Sequence, residues 1–364
     1  MDNRTTSYIR NFFITTTGSI LLIVFLNFFI DPAGVYHKDK SPEQEYANAL
    51  AQTRNGLWWP DNSFDERAIK KHLAKEQQDQ NPDCIIIGSS HVMQIGSSRP
   101  QKSLTDLCRT ILNLSVSGAG LEDQLALTHL VFTKSVHAPT KLILEIAPWT
   151  FAFGRDLRWS NAYPDDYREM LNVLETPESA DLTEGQHSKA TNLISLQYTK
   201  ESLKELYRMA FAEYKKEIQQ APPLQEDFGG KYPALFPDGS LLYSAYYYRS
   251  TNQTKVKPGG DNYKTGGTDP KAISLYVRFL KWVIQQGHEP ILIMTPYHPK
   301  VLTYSDSANS KAIRETESVV AAIKADLNLA IIGSFNPNYT KCDESEFLDF
   351  MHARVSCLNK LSIR

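Results

Sequence analysis

The sequence predicts an α/β protein: a five-stranded parallel sheet in a three-layer sandwich. Three observations carry this. Apolar runs of strand length recur along the chain, at Cys84–Ile87, Thr110–Leu114, Lys141–Ile146, Ile291–Met294 and Ala330–Phe335. Segments with helical spacing lie between several of them. The runs are continuous rather than alternating, which is the pattern of strands covered on both faces.

The elements follow in order. Phe12 to Ile30 carries no charge. As a helix it is roughly 28 Å long, about the thickness of a bilayer's hydrocarbon core. It runs into Asp31-Pro32-Ala33-Gly34 with no small-x-small cleavage site. This predicts an uncleaved transmembrane anchor that meets the lipid bilayer through residues 12–30. Arg4 and Arg10 precede the span, and Lys38 and Lys40 follow it. The expected arrangement is a cytoplasmic N-terminus and a C-terminal domain beyond the cell (inner) membrane, periplasmic or otherwise extracytoplasmic. Residues 31–81 form a membrane-proximal segment. Within it, Trp58-Trp59-Pro60 reads as a surface-lying element and Asp65–Gln80 as a polar helix with Ile69 and Leu73 on one face.

Leu121–Phe132 is a packed helix by the spacing of Leu121, Leu125, Leu127 and Leu130. Asp269-Pro270 marks a helix start, an acidic N-cap before proline at the first turn, and Gly287 marks its stop. Ser310–Leu327 is a further helix. The first part of the sheet domain thus spans 82–148 and the second 269–364. Residues 149–268 are too long for a simple connection and read as an inserted helical/β cap. That insert holds a helix over Thr199–Ile218, a turn at Asp238-Gly239 between short strands, and a tyrosine-rich stretch from Tyr243 to Arg249.

Composition excludes several classes. The chain of 364 residues is 41% hydrophobic and 22% charged, with a net charge of -2, so no nucleic-acid partner is expected. No Walker A loop, GxGxxG or zinc-type cysteine spacing occurs, so neither metal nor organic cofactor is expected. Of the four cysteines, Cys84 sits within a strand, where a reduced thiol is at home. Cys342 and Cys357 bracket Asp349 and His352; they are either a disulfide clamping that loop or two unrelated thiols.

In an open parallel sheet, ligands bind beyond the carboxyl ends of the strands. Strand one leads into Gly88-Ser89-Ser90-His91 and strand two into Asn113-Leu114-Ser115-Val116-Ser117-Gly118. Strand three leads into Glu145-Ile146-Ala147-Pro148, strand four into Thr295-Pro296-Tyr297-His298, and Asp349 and His352 follow strand five. The types suit acyl chemistry. Ser90 is a nucleophile once a base takes its proton, His352 is that base, and Asp349 orients the imidazole. The backbone N–H groups of Ser90 and Gly118 are the oxyanion donors. His91 and His298 lie on the same edge as weaker candidates for substrate contact, and the tyrosines from Tyr243 onward either stack on sugar rings or pack the insert.

At these residues the chain resembles the SGNH (GDSL-like) hydrolase superfamily. Gly88-Ser89-Ser90 matches its first block, with Ser90 as nucleophile. Asn113-x-Ser115-x-x-Gly118 matches its second, with Gly118 as oxyanion donor, and Asp349-x-x-His352 its last. The third block departs: Glu145-Ile146-Ala147-Pro148 stands where the family supplies an asparagine amide, so another donor, such as His91, His298 or a residue of the insert, has to substitute. The single span, the Asp31-Pro32-Ala33-Gly34 segment and the paired motifs are similar to those of membrane-anchored SGNH-like proteins of bacterial cell-envelope acylation.

The resemblance implies a flavodoxin-like sheet and a serine acyltransferase or esterase that forms an acyl-enzyme. The substrate it implies is an acyl ester of cell-envelope polysaccharide, with a multi-span acyl-donor membrane protein as partner. The alternative is a non-catalytic binding or assembly protein that keeps the scaffold.

Overall fold

A computed structural model of the chain describes residues 3–31, 41–53, 55–59, 64–76, 82–97, 104, 106–134, 141–175, 193–194, 198–200, 202–203, 206, 231–250, 256–260 and 267–364. Two compact units result, one of residues 1–45 with 180–217, the other of residues 46–179 with 218–364. Residues 180–217, which lie within the stretch 149–268, group with the N-terminal helix. The helix expected over Thr199–Ile218 lies largely outside the described residues, as do Pro32, Ala33 and Gly34.

In the first unit, helix α1 spans Asn3–Ile30. Its Arg10–Ile30 stretch has a mean hydropathy of 2.1 and is long and apolar enough to cross a bilayer. Asn27 is the polar exception, and it is fully buried. Its Nδ2 donates to the Leu193 carbonyl at 2.8 Å and to Thr199 Oγ1 at 2.9 Å. Its Oδ1 accepts from Ser202 Oγ at 2.9 Å. Satisfying both ends of the amide removes most of the cost of burying it.

The second unit is α/β around a five-stranded parallel sheet. Its strands are β2 (Cys84–Ile87), β3 (Ile111–Asn113), β4 (Lys141–Glu145), β7 (Glu289–Met294) and β8 (Ala330–Gly333), in the order β3-β2-β4-β7-β8. All four neighbouring pairs run parallel. A smaller antiparallel sheet joins β1 (Leu57–Trp58), β5 (Ala234–Leu235) and β6 (Leu241–Leu242). Leu57-Trp58 thus forms a strand whose backbone pairs with a segment far along the chain. The turn at Asp238-Gly239 is as the sequence predicts, with Gly239 at φ +77°.

Helix Pro270–Gln285 starts as its first two residues dictate: the Asp269 side chain accepts from the Lys271 N–H, and Pro270 occupies the first turn. It buries Leu275, Tyr276, Phe279, Leu280 and Val283. Helix Ala308–Leu327 opens on Ser307, whose side chain accepts from the Ser310 N–H.

Helix α3 (Glu66–Glu76) buries Ile69 and Leu73 as expected, but also Arg67 and Lys70. The sequence makes it a polar surface helix; the structure gives its charges distant partners. Arg67 Nε lies 2.7 Å from Asp123 Oδ1. Lys70 Nζ donates to the carbonyls of Asn113, at 2.9 Å, and Gly239.

All four cysteines are in disulfides. Cys342–Cys357 resolves the alternative left open above. Cys84 is not a reduced thiol: it bonds Cys108, and both pack in one buried cluster with Leu104 and Ile111.

Candidate functional site

The first site element is the turn after β2. Gly88 is required there, because a Cβ would lie 2.4 Å from the Glu145 Cβ and 2.7 Å from Val92 Cγ2. The turn wraps over the Glu145 carboxylate, buried at the end of β4. Glu145 accepts from the Ser89 backbone N–H and, at 2.9 Å, from the Ser89 hydroxyl. Ser89 is thus spent on anchoring the turn, and Ser90 is left to point outward.

The second element is the loop after β8. Asp349 closes it on itself, since its Oδ1 accepts the backbone N–H groups of Met351 and His352, both at 2.8 Å. The Leu348 N–H donates to the His352 carbonyl at 2.8 Å, which makes the loop a narrow hairpin. The Cys342–Cys357 bond encloses it. Asp349 Oδ2 then lies 2.7 Å from His352 Nδ1, and His352 Nε2 lies 2.8 Å from Ser90 Oγ. Three residues from opposite ends of the sheet unit form one hydrogen-bonded chain. Burial pushes the Asp349 carboxyl up, but the His352 charge, its hydrogen bond and the two backbone N–H groups outweigh this. The net effect holds it well below the usual carboxylate range.

The third element is the loop after β3. Asn113 organises it: the side-chain amide donates to the carbonyls of Val92 at 2.8 Å and Ile95 at 2.7 Å, and Oδ1 accepts from the Ser115 N–H. Glu66 accepts the Ser117 N–H at 2.8 Å. The N–H groups of Leu114, Val116, Ala119 and Gly120 are also bonded. Gly118 is the exception in this run, and Ser90 is the exception in its own turn: neither N–H donates to another described residue. Gly118 sits at φ +68°, with Asp156 and Arg158 side chains crowding the place of a Cβ.

Ser90, Ser117, Gly118, Arg155, Asp156, Arg158, Met351 and His352 line a cleft of about 460 Å³. Ser90, His352 and Gly118 therefore border one space. Among the described residues, no group of histidine, cysteine and carboxylate side chains is arranged to hold a metal.

His91 and His298 do not reach the cleft. His91 is 1% exposed, with Nδ1 3.0 Å from Glu145 Oε1 and its ring edge-on to Trp149, Tyr297 and His352. His298 is fully buried, and its Nδ1 accepts the Lys300 N–H at 3.1 Å, capping a short helical turn. Both are scaffold histidines here. In the turn after β4, Glu145-Ile146-Ala147-Pro148 carries no side-chain amide, and the Ala147 N–H is taken up by Thr150 Oγ1 at 2.9 Å.

The residues whose role the sequence left undecided are the tyrosines. Tyr247 Oη donates to Asp349 Oδ2 at 2.8 Å, the oxygen that also faces His352. Tyr243 Oη donates to the Ser90 carbonyl at 2.8 Å. Burial pushes both phenols up, so they remain donors at neutral pH. The Tyr243–Tyr247 spacing, i and i+4, was the available signal; the turn after β6 that aims both rings at the site was not legible.

Fold and site together define an α/β parallel-sheet protein bearing a Ser–His–Asp hydrogen-bonded chain at the carboxyl edge of its sheet. No protein-family model matches the chain, and no curated protein matches it.

Proposed function

We propose that the chain is a membrane-anchored serine acyltransferase or esterase of the SGNH type, with a flavodoxin-like sheet, that acts on acyl esters of cell-envelope polysaccharide. The Ser90–His352–Asp349 chain, opening on a cleft with two uncommitted N–H groups, carries this reading. His352 Nε2 takes the Ser90 proton as Oγ bonds to the ester carbonyl carbon. The Ser90 and Gly118 N–H groups receive the oxyanion. As the tetrahedral adduct collapses, the protonated His352 gives its proton to the departing alkoxide and an acyl-serine remains. A sugar hydroxyl or water then attacks it, His352 again taking the proton and returning it to Ser90. The steps need no metal or organic cofactor.

Helix α1 serves in this reading as the anchor, with the sheet unit outside the cytoplasm. The two disulfides support an oxidising compartment. A multi-span membrane protein is the expected acyl donor.

Labelling with a fluorophosphonate probe tests the assignment. The wild-type chain in detergent micelles should be labelled and Ser90→Ala should not; equal labelling sinks the nucleophile. The rival, a non-catalytic assembly protein, rests on the missing third-block amide. It predicts that cells carrying Ser90→Ala or His352→Ala still modify their envelope polymer, and loss of modification at normal protein levels eliminates it.

A further inference from the structure

Ser117 is held from both sides by charged side chains. Its N–H donates to the Glu66 carboxylate at 2.8 Å. Its carbonyl accepts from Arg158 Nη2 at 2.6 Å and, more weakly, from Arg67 Nη2 at 3.4 Å. Each cation has a carboxylate of its own. Arg67, 1% exposed, forks Asp123 through Nε at 2.7 Å and Nη2 at 3.0 Å. Arg158 forks Asp156 through Nε at 3.0 Å and Nη2 at 2.5 Å, and its backbone N–H bonds the same carboxylate at 3.0 Å. Asp123 also accepts the Gly120 N–H at 3.0 Å, so the bracing reaches both ends of the run 117–120.

The Ser117 carbonyl and the Gly118 N–H belong to one peptide group. That group is trans, so its carbonyl and its N–H point opposite ways. Turning the carbonyl toward the guanidiniums turns the N–H away from them. The brace also packs on Gly118 itself: a Cβ there would lie 2.9 Å from Asp156 Oδ2 and 3.1 Å from Arg158 Nη2. Through amide resonance, a donor at the carbonyl oxygen draws electron density from the nitrogen, and the N–H becomes the stronger donor. A cationic donor does this more than a neutral one.

We propose that Arg158, backed by Arg67, is a positioning residue for the oxyanion: it polarises the 117–118 peptide and aims the Gly118 N–H at the developing charge. In this role both guanidiniums act through the amide rather than on the substrate. A stronger Gly118 donor then offsets the side-chain amide that Glu145-Ile146-Ala147-Pro148 lacks. The inference rests on the serine acyl-transfer reading of the same cleft.

The test uses the full-length chain in detergent micelles with two uncharged probes, so that no charge on the ligand meets Arg158. Para-nitrophenyl acetate reports turnover. Trifluoroacetophenone, whose ketone takes up a serine oxygen to form a tetrahedral oxyanion, reports affinity for that oxyanion. In Arg158→Met, kcat should fall about tenfold with KM changed by less than about twofold, and the Ki of the ketone should rise about tenfold in step. Arg158→Lys returns a cation to the carbonyl and should bring both values back to within about threefold of wild type. A kcat unmoved in Arg158→Met overturns the proposal, and so does a fall in kcat with the ketone's Ki unchanged, or an equal loss in Arg158→Lys. Should Arg158→Met not fold by circular dichroism, Arg158→Lys decides: kcat and Ki must still shift together, and a shift of one alone, or of neither, overturns it. Ester cleavage undiminished in Ser90→Ala overturns the underlying acyl-transfer reading instead, whatever the Arg158 variants show.

Discussion

Two carboxylate–imidazole pairs stand back to back in this protein. Asp349–His352 is separated by 2.7 Å and Glu145–His91 by 3.0 Å, and the two imidazole centroids are 5.2 Å apart. The chemistry of the pairs is alike, yet only one faces a hydroxyl and an open cleft. His352 meets Ser90 Oγ, whereas His91 is sealed beneath Trp149 and Tyr297, and its carboxylate is occupied with the Ser89 turn. Access and a neighbouring hydroxyl, rather than the presence of an acid and a base, distinguish the outer pair from the inner one. The inner pair fixes the floor on which the outer one works.

The comparison breaks most sharply at the outer pair. On an aryl ester, His352→Ala should lower kcat/KM by about a thousandfold or more, and Asp349→Asn by a similar order, with folding retained by circular dichroism. The inner pair should respond the other way. His91→Ala removes a buried ring and strips Glu145 of one of its partners, costing about 2–4 kcal/mol in denaturant unfolding. Activity per folded molecule should fall by less than about tenfold. Equal collapse of activity in His91→Ala and His352→Ala, both folded, would erase the distinction.

The outer pair also has a brace of its own. Replacing Cys342 and Cys357 by serine should cost about 3 kcal/mol, since the bond closes a loop with a sequence separation of 15. Activity should be lost at lower temperature than in wild type, measured as half-life against temperature.

Tyr247→Phe should produce a smaller, few-fold loss in kcat/KM. With one donor fewer, the Asp349 carboxylate holds the protonated imidazole more tightly, so the acid limb of the pH–rate profile should move to higher pH. An unshifted limb would reduce Tyr247 to packing.

The smallest effect concerns stability against pH. Because the folded Asp349 carboxyl is depressed, its contribution is fully present above the ordinary carboxylate value of about 4 and is lost as pH falls toward the folded value. Asp349→Asn should therefore flatten the acid side of the unfolding midpoint measured between about pH 5 and pH 2.

What could be read in the sequence was local. Continuous apolar runs gave the five strands, Asp269-Pro270 gave a helix start, and two short motifs gave three side chains that meet. What could not be read depended on distant pairing. Glu66, Arg67 and Lys70 belong to a helix that looks solvent-facing until Asp123, Ser117 and Gly239 are brought against it. The Tyr247 contact with Asp349 needs the turn after β6, and hence the antiparallel sheet that joins Leu57 to Leu235. His91 and His298 lay on the right edge by topology, but burial, which topology does not report, withdrew them from the cleft.

The outer strands of the main sheet have a consequence for how the protein can associate. On β3, the Ile111 N–H and carbonyl are both met by Ser97 Oγ, the Asn113 N–H by the Asp238 carbonyl, and the Asn113 carbonyl by Lys70. At the opposite border, Ile331 exchanges both backbone bonds with Arg364, and the Gly333 N–H donates to Ser362. Among the described residues, these outward-facing backbone groups of both borders are already bonded. A neighbouring polypeptide cannot extend this sheet by strand addition without first breaking those bonds, so fibril-like growth and edge-to-edge pairing are closed to it.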